Sequence, residues 1–208
     1  MPHRNLRRVQ TRQDRWNLNI HYHRVVLDAV PRDAANALDV GCGNGLLAFD
    51  LAARGLDVIG VDPDAPSIER ATADPDASDR TMFICADLFT YPFEPASFDV
   101  VAANAMLHHV DAESGLRRMR ELVRPSGVLA VVGFATPSSL MDLALIATGY
   151  VYKTAHQLSR HYWEHDAPVR WPPPLSINDM HALVNRELPD ARFRRRMAHR
   201  YSIVWTAP

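Results

Sequence analysis

Short runs of apolar residues alternate along this chain with segments in which apolar residues recur every three or four positions. The short runs predict buried strands, and the spaced segments predict helices that pack one face against those strands. The strand runs lie at residues 37–40, 57–61, 82–86, 98–103 and 128–132, with helical spacing at 46–52 and 116–123 between them. This alternation predicts an α/β fold built on a mostly parallel sheet.

Outside residues 37–132 the chain no longer alternates regularly between strand and helix patterns. Apolar spacing over residues 16–30 predicts a helix packed on the edge of the first strand, and Pro31 ends it. Residues 136–175 break the strand–helix rhythm with a helical stretch at 140–159 followed by prolines. We expect these residues to fold over the carboxyl ends of the strands, where substrates bind in open α/β sheets.

The C-terminal segment predicts one more helix and a pair of strands. Ser176 is typical of an N-cap residue, and the helix after it should reach Leu188. Two final strands are predicted near residues 192–197 and 201–206.

Three glycines stand at alternate positions directly after the first predicted strand. Residues 37–45 read ALDVGCGNG. Glycine lets the backbone turn sharply and approach a ligand, and the helix that follows offers free N–H groups and a positive dipole end. A strand, a glycine turn and a helix together are typical of one half of a nucleotide-binding α/β fold.

The spacing of these glycines argues against NAD. The dinucleotide fingerprint G-x-G-x-x-G would place its third glycine at position 46, where the chain has Leu46. Instead, Asp39 stands two residues before Gly41, and the second strand ends at Asp62, about twenty residues further on. An acid there is positioned to accept hydrogen bonds from both ribose hydroxyls of an adenosine.

On these motifs the chain resembles the class I S-adenosylmethionine-dependent methyltransferases, and within them the type 11, ubiquinone/menaquinone-methyltransferase-like branch. The resemblance covers residues 34–134, including the third strand closed by Asp87-Leu88 and the fourth running into Asn104. It implies a Rossmann-like three-layer sandwich with a seven-stranded, mostly parallel sheet, an antiparallel C-terminal strand and a short lid insertion. A Rossmann-like core without a cofactor is the alternative interpretation.

We therefore expect residues 1–208 to form a single methyltransferase domain in four parts. These are an N-terminal arm and cap helix (1–33), a cofactor-binding core (34–135), a substrate lid (136–175) and a C-terminal helix with a strand pair (176–208).

The resemblance also implies S-adenosylmethionine as the cofactor and S-adenosylhomocysteine as its product. Gly41, Gly43 and Gly45 would contact the methionine and ribose parts through their backbone. Asp39 would orient the loop and, through water, the amino group. Asp62 would take the ribose hydroxyls.

Further positions are assigned to the two ends of the cofactor in the same way. Pro63 would stack on the adenine, and Asp87 would accept a hydrogen bond from the adenine amino group with the Leu88 backbone alongside. Asn104 would meet the methionine end through its carbonyl. Cys42 lies in the glycine turn and should line the same cleft.

Two histidines and a tyrosine are the candidates for acceptor chemistry. His108 and His109 follow the fourth strand, where a histidine could take a proton from a hydroxyl or an amine. The alternative is that one of them only ties down the loop. Tyr22, in the N-terminal helix, could close the methionine end and favour the sulfonium by cation–π attraction, or it could simply pack.

Two other patterns fall in the predicted lid. Its aromatic residues could line an apolar substrate pocket or form a small core of their own; they are Tyr150, Tyr152, Trp163 and Trp171. Residues 161–165 match H-x-x-E-H, the inverted zinc-peptidase signature. So short a match arises readily by chance in a chain with 10 histidines, so we expect no metal site.

Composition agrees with one α/β domain. The chain has 208 residues, 47% of them hydrophobic, which suffices for a substantial core. Its net charge of −1 gives no global indication of a nucleic-acid or anionic-membrane partner. Its 2 cysteines, Cys42 and Cys85, both follow predicted strands and should line the cleft, and they imply no disulfide framework. The arginine-rich N-terminus lacks the apolar region of a secretory signal. These features predict a cytoplasmic protein without a membrane partner.

The sequence therefore predicts an enzyme that transfers a methyl group from S-adenosylmethionine to O, N or C of a small-molecule acceptor, acting as a monomer or homodimer. Two alternatives stay open. One is a non-catalytic, cofactor-binding regulator or partner subunit. The other is an RNA methyltransferase, although nucleic acid is the less favoured partner because the chain lacks a broad basic surface with aromatic residues.

Overall fold

Seven strands form one sheet in the computed structural model, which describes residues 15–159, 163 and 170–208. They are β1 (Asn36–Val40), β2 (Asp57–Asp62), β3 (Thr81–Cys85), β4 (Phe98–Asn104), β5 (Val123–Phe134), β6 (Arg192–Arg196) and β7 (Arg200–Thr206). The helices are α1 (Leu18–Leu27), α2 (Leu46–Ala52), α3 (Ala65–Thr72), α4 (Ala112–Leu122), α5 (Leu140–Ser159) and α6 (Ile177–Glu187), with a 3-10 turn at Leu107–His109. Each strand and helix that the apolar pattern predicts is present.

The strands lie in the order β3-β2-β1-β4-β5-β7-β6. Neighbours from β3 to β5 pair in parallel, whereas β7 runs antiparallel to both β5 and β6. The predicted mostly parallel, Rossmann-like sheet with an antiparallel C-terminal strand is confirmed. Because β2 and β4 flank β1 on opposite sides, the carboxyl end of β1 is a switch point, which is where open α/β sheets bind ligands.

Successive side chains of the central strands point into two separate apolar layers. On one face, Leu38 of β1 packs in the same cluster as Leu116 of α4 and Val184 of α6. On the other face, its neighbour Ala37 lies in a cluster with Val26 of α1 and with helix α2. Helices cover both faces of the sheet, so the molecule has three layers.

Helix α1 lies across a face of the sheet, and not on the edge of β1 as the sequence suggested. Asn17 caps the helix by accepting the Ile20 N–H at 2.9 Å. The Asn19 carbonyl accepts a hydrogen bond from the Asn104 side chain at 3.1 Å, and its own side chain accepts one from Arg200 at 2.7 Å. These contacts hold the start of α1 at the carboxyl end of β4.

The junction between α4 and β5 differs from the expected helix, turn and strand. The helix ends at Leu122, and Val123 already has extended backbone and pairs with Phe98. Pro125 disfavours helical backbone at Arg124, so the helix ends before it and the strand begins at once.

Helix α5 is fixed to the rest of the protein by a buried carboxylate. Asp142 is 4% exposed, accepts the Ser138 N–H and the Ser139 hydroxyl at 2.9 Å each, and pairs with Arg195 of β6. Burial opposes the ionisation of Asp142, but the hydrogen bonds from Arg195 and the two serines outweigh it and lower its pKa from 3.8 to about 2. Arg196 donates to the Ser202 hydroxyl at 2.9 Å, so the side chains of Arg195 and Arg196 are both engaged within the fold.

We expect Asp142 to make the free energy of unfolding depend on pH under acidic conditions. Its folded pKa lies below its unfolded value, so the stabilisation is complete above about pH 4 and is lost as pH falls towards the folded pKa of about 2. Asp142→Asn should remove up to about 2 kcal/mol at pH 7 and weaken this acid dependence.

Urea unfolding at pH 7, 4 and 3 would measure the effect, with the exposed Asp33→Asn as the matched control. A variant as stable as the wild type at pH 7, with the same loss at pH 3, would show that Asp142 does not anchor α5.

Candidate functional site

A cavity of about 450 Å³ lies at the carboxyl ends of β1, β2 and β4. Its wall combines the turn after β1, the residues that follow β2, β3 and β4, and the start of α1. The predicted site residues that line it are Asp39, Gly41, Cys42, Gly43, Asp62, Pro63, Asp87, Leu88, Asn104, His108 and His109. Gly45 and Tyr22 are not part of this lining. The sheet therefore brings most of the predicted site together.

Each of the three positions in the turn is occupied by glycine for a different structural reason. A Cβ atom on Gly41 would lie 2.1 Å from Cγ of Met106, so glycine there admits the loop after β4. A Cβ atom on Gly45 would meet the Phe83 ring at 2.7 Å, which makes this residue a packing position at the start of α2. Gly43, at φ +51°, has open space where a side chain would stand. Of the three, Gly43 leaves the most room for a ligand.

Asp62 holds the glycine turn in place. One of its carboxylate oxygens accepts the Gly43 N–H at 2.9 Å, and the other accepts the Asp64 N–H at 2.9 Å. A carboxylate has about four acceptor positions, so both oxygens keep capacity for a ligand hydroxyl. This geometry is compatible with the predicted ribose contact and adds a structural role that the motif alone did not indicate.

Asp39 is a buried acid that faces the cavity. Burial, together with the negative charges of Asp62 and Asp50, raises its pKa from 3.8 to about 7. Its Oδ2 atom is buried and accepts no hydrogen bond from the residues that the structure describes, and the same is true of Oδ1 of Asn104. Two buried oxygens without donors at one cavity suit a ligand with a positive, donor-rich group, such as the amino group of S-adenosylmethionine.

The adenine end of the predicted site is more exposed to solvent than the end at Asp39. Asp87 is exposed and accepts the Phe89 N–H at 2.8 Å, which leaves its second oxygen for a ligand. Pro63 and Leu88 line the cavity beside it. Phe89, 41% exposed, also lines the cavity and was not predicted. An exposed aromatic ring beside the predicted adenine acceptor is the signal that could have identified it.

The two cysteines have different environments. Cys42 is buried in the cavity wall, and burial together with the carboxylates of Asp39 and Asp62 raises the pKa of its thiol. Cys85 is exposed, and the cavity lining does not include it, contrary to the expectation that both cysteines line the cleft.

His108 and His109 lie side by side, with ring centroids 4.2 Å apart. Burial and the neighbouring His109 and arginines lower the pKa of His108 to about 4. Burial and Arg170 lower the pKa of His109. Both rings are therefore neutral at pH 7. Nδ1 of His108 is buried and has no hydrogen-bond partner within the described part of the chain.

Helix α1 contributes to the cavity through residues other than the predicted Tyr22. The Tyr22 side chain is buried, and its hydroxyl lies 3.4 Å from the Met197 carbonyl, to which it donates. The lining residues on α1 and its cap are Asn17, Asn19, Ile20 and His23. On a helix of 3.6 residues per turn, positions 19, 20 and 23 share one face, and position 22 lies off it. The structure thus places Tyr22 in the packing between α1 and the β6–β7 turn.

The aromatic residues of the predicted lid are mostly outside the cavity. Trp163 lines it, whereas Tyr150 is 56% exposed and Trp171 is 54% exposed. Tyr152 packs beside Trp16 and His21. The H-x-x-E-H match falls, apart from Trp163, on residues outside the described part of the chain.

Comparisons with known proteins extend the resemblance beyond the motifs. A family model described as a methyltransferase domain matches residues 38–131. An uncharacterized methyltransferase of Mycobacterium tuberculosis is 41% identical over 194 residues, which cover 93% of this chain and 98% of that protein. A ubiquinone biosynthesis O-methyltransferase of Azorhizobium caulinodans is 32% identical over 136 residues, 64% of this chain and 53% of that protein.

Among solved structures, phosphoethanolamine N-methyltransferase 2 of Haemonchus contortus, in complex with phosphomonomethylethanolamine and S-adenosylhomocysteine, is similar with a TM-score of 0.61 at 20% identity. The similarity covers 86% of this chain and 38% of that chain. At this identity the likeness concerns the fold.

Asp39→Asn should stabilise the free protein and weaken its binding of S-adenosylhomocysteine. The folded pKa of Asp39 lies above its unfolded value, so ionising it destabilises the fold as pH rises from about 4 through about 7. The neutral amide avoids that effect, so the melting temperature of the variant should exceed that of the wild type at pH 8 and exceed it by a clearly smaller margin at pH 5. Affinity at pH 8 should fall about tenfold or more, because hydrogen bonds to charged groups contribute about 1.5–3 kcal/mol.

Thermal unfolding and calorimetric titration at both pH values would measure these effects, with Asp33→Asn as the control. A variant that is less stable at pH 8 and binds with unchanged affinity would contradict the environment assigned to Asp39.

Proposed function

The chain belongs to the class I S-adenosylmethionine-dependent methyltransferases, and we propose that it methylates an oxygen, nitrogen or carbon atom of a small molecule. The observation that carries this proposal is the continuity of one cavity from Asp62 and Asp87 to His109, Phe134 and Trp163. Its volume of about 450 Å³ falls within the range of about 300–1,000 Å³ that is usual for small-molecule sites.

The residues at the acidic end suit S-adenosylmethionine. This cofactor, when bound, supplies a methyl group that is already activated by its sulfonium centre. We expect Asp62 to accept from the ribose hydroxyls, Asp39 and Asn104 to take the amino group, and Asp87 to accept from the adenine amino group. These groups hold and orient the ligand, and the burial of Asp39 excludes water from the methionine end.

At the other end of the cavity, His109 is the better candidate for a general base. A base works best with a pKa near the operating pH, and the pKa of about 4 makes His108 a weak one. His109 is less buried than His108 and also faces the negative charge of Asp62, which opposes the lowering of its pKa. We assign proton acceptance to His109 and orientation of the acceptor to His108, whose buried Nδ1 can take part in a hydrogen bond.

The relatives support a small acceptor. The name of one of them refers to ubiquinone biosynthesis, which is small-molecule chemistry. No arginine or lysine occurs among the described residues that line the cavity, whereas a site for RNA needs cations along the phosphate path. This observation favours a small molecule over RNA.

Three further features of the proposal concern the setting of the enzyme. None of the described helices is long and apolar enough to span a membrane. Both cysteines are free, which is usual for a reducing compartment, so we propose a cytoplasmic location. We further propose a monomer or homodimer with residues 136–175 acting as the lid.

Methyl transfer to fractions of an extract from the cells that naturally make this protein would test the class of the acceptor. The purified protein would be incubated with S-adenosylmethionine labelled in its methyl group and, separately, with the small-molecule, RNA and protein fractions. Label in the small-molecule fraction alone is the expected result. Label in RNA would identify an RNA methyltransferase, and S-adenosylhomocysteine binding without transfer to any fraction would support a regulator.

With the acceptor found in that way, His109→Gln should lower kcat and leave the affinity for S-adenosylhomocysteine within twofold. General bases contribute typically about 10²–10⁴-fold, so a loss in that range is expected. Because the pKa of His109 is lowered, the wild-type rate should be flat from pH 7 to 9 and fall only below about pH 6.5.

The His108→Gln variant is the matched comparison and should lose less. A His109→Gln variant with wild-type turnover from pH 6 to 9 would show that positioning alone accounts for catalysis.

A further inference from the structure

One polar pair in the cavity wall has no role in the contacts assigned so far. His23 of α1 is 4% exposed and lines the cavity. Its Nδ1 atom lies 2.7 Å from Oδ2 of Asp50 on α2. With Nδ1 engaged by a carboxylate, Nε2 is the ring nitrogen that is left for a ligand in the cavity.

The cofactor has one strongly charged group that still lacks a partner. S-adenosylmethionine and S-adenosylhomocysteine carry a carboxylate beside the amino group, and Asp39 would repel it. No arginine or lysine lies among the described cavity-lining residues. Arg200, which is near, is buried and donates to the Asn19 side chain and the Ala198 carbonyl.

The other two histidines of the cavity, His108 and His109, are less suited than His23 to bind a carboxylate. Burial and nearby positive charges lower the pKa values of His108 and His109, which keeps both rings neutral. Neither has a carboxylate within hydrogen-bond distance in the described structure, whereas His23 has Asp50. A protonated His23 would donate from Nδ1 to Asp50 and from Nε2 to a second carboxylate.

The location of His23 also agrees with this ligand group. Asn104, expected at the amino group, donates to the Asn19 carbonyl at 3.1 Å, which brings the start of α1 to the methionine end of the site. His23 lies four residues further along α1, on the same face as Asn19. Helix α2, which carries Asp50, also contributes Leu46 and Leu47 to the lining of the same cavity.

We propose that His23, oriented by Asp50, forms the subsite that binds the carboxylate of the methionine part of the cofactor. This inference rests on the proposed placement of the amino group at Asp39 and Asn104. It assigns Asp50 as a positioning residue, because Asp50 acts through His23.

The alternative is a purely structural role, in which the pair only ties α1 to α2. Two ligands separate these roles: S-adenosylhomocysteine and its analogue that lacks only the carboxylate. His23→Asn keeps an amide N–H for Asp50 and removes Nε2. Asp50→Asn keeps the contact and removes its charge. Arg24→Ala is the control, because Arg24 is an exposed cation on the same helix and lies outside the cavity lining.

Calorimetric titration of each protein with each ligand tests the proposal, with melting temperatures as the check on folding. His23→Asn should weaken the binding of S-adenosylhomocysteine about ten- to hundredfold, as expected for a hydrogen bond between charged groups. It should leave the affinity for the analogue within twofold. Asp50→Asn should show a smaller loss with the same selectivity, and Arg24→Ala should match the wild type with both ligands.

Three results would overturn the proposal. Equal losses with both ligands would mean that the pair is a structural tie. An unchanged affinity of His23→Asn for S-adenosylhomocysteine would place the carboxylate elsewhere. In both cases the wild-type protein still binds S-adenosylhomocysteine, so the proposed cofactor site would stand without this subsite. A wild-type protein that binds neither ligand would instead reject the proposed cofactor site as a whole.

Discussion

The candidate site depends on the hydrogen bonds of one carboxylate that joins two strand ends. Asp62, at the end of β2, accepts the Gly43 N–H from the turn after β1 and the Asp64 N–H from its own loop, both at 2.9 Å. This requires β1 and β2 to be parallel and in register, which the pairing of Val40 with Val61 provides. The group that we expect to bind the ribose therefore also fixes the turn that approaches it.

The same arrangement concentrates negative charge in a buried place. Asp39 is surrounded by protein, and Asp62 and Asp50 both raise its pKa. Oδ2 of Asp39 and Oδ1 of Asn104 have no donors within the described residues, an arrangement that a folded protein ordinarily avoids. The amino group of the cofactor, placed as we propose, would donate to both atoms. Binding and stability are then coupled, because the ligand stabilises the folded state that contains these acids.

The parts of this protein that were predictable from the sequence are those set by local patterns. The glycine turn and the acids at positions 39, 62 and 87 follow their strands directly, so strand order alone brings them to one edge of the sheet. The residues that were missed depend on contacts distant in the chain. Tyr22 was predicted and His23 was missed because apolar spacing does not reveal which face of α1 meets the cavity. Phe89 was missed although it is an aromatic residue two positions after Asp87, because the sequence does not show that its ring is exposed at the cavity.

Helix α1 differs from the rest of the site in the way it is held. Val26 packs its C-terminal half into an apolar layer, but polar side chains fix its start, through Asn19 to Asn104 and Arg200 and through His23 to Asp50. Strand pairing fixes the sheet edge. Side-chain contacts of this kind can be exchanged without disturbing the sheet, and α1 supplies Asn17, Asn19 and Ile20 to the cavity wall. The cofactor end is thus constrained by the fold itself. The wall built by Asn17, Ile20, Phe134 and Trp163 has no assigned contact with the cofactor, and we expect the choice of acceptor to reside there.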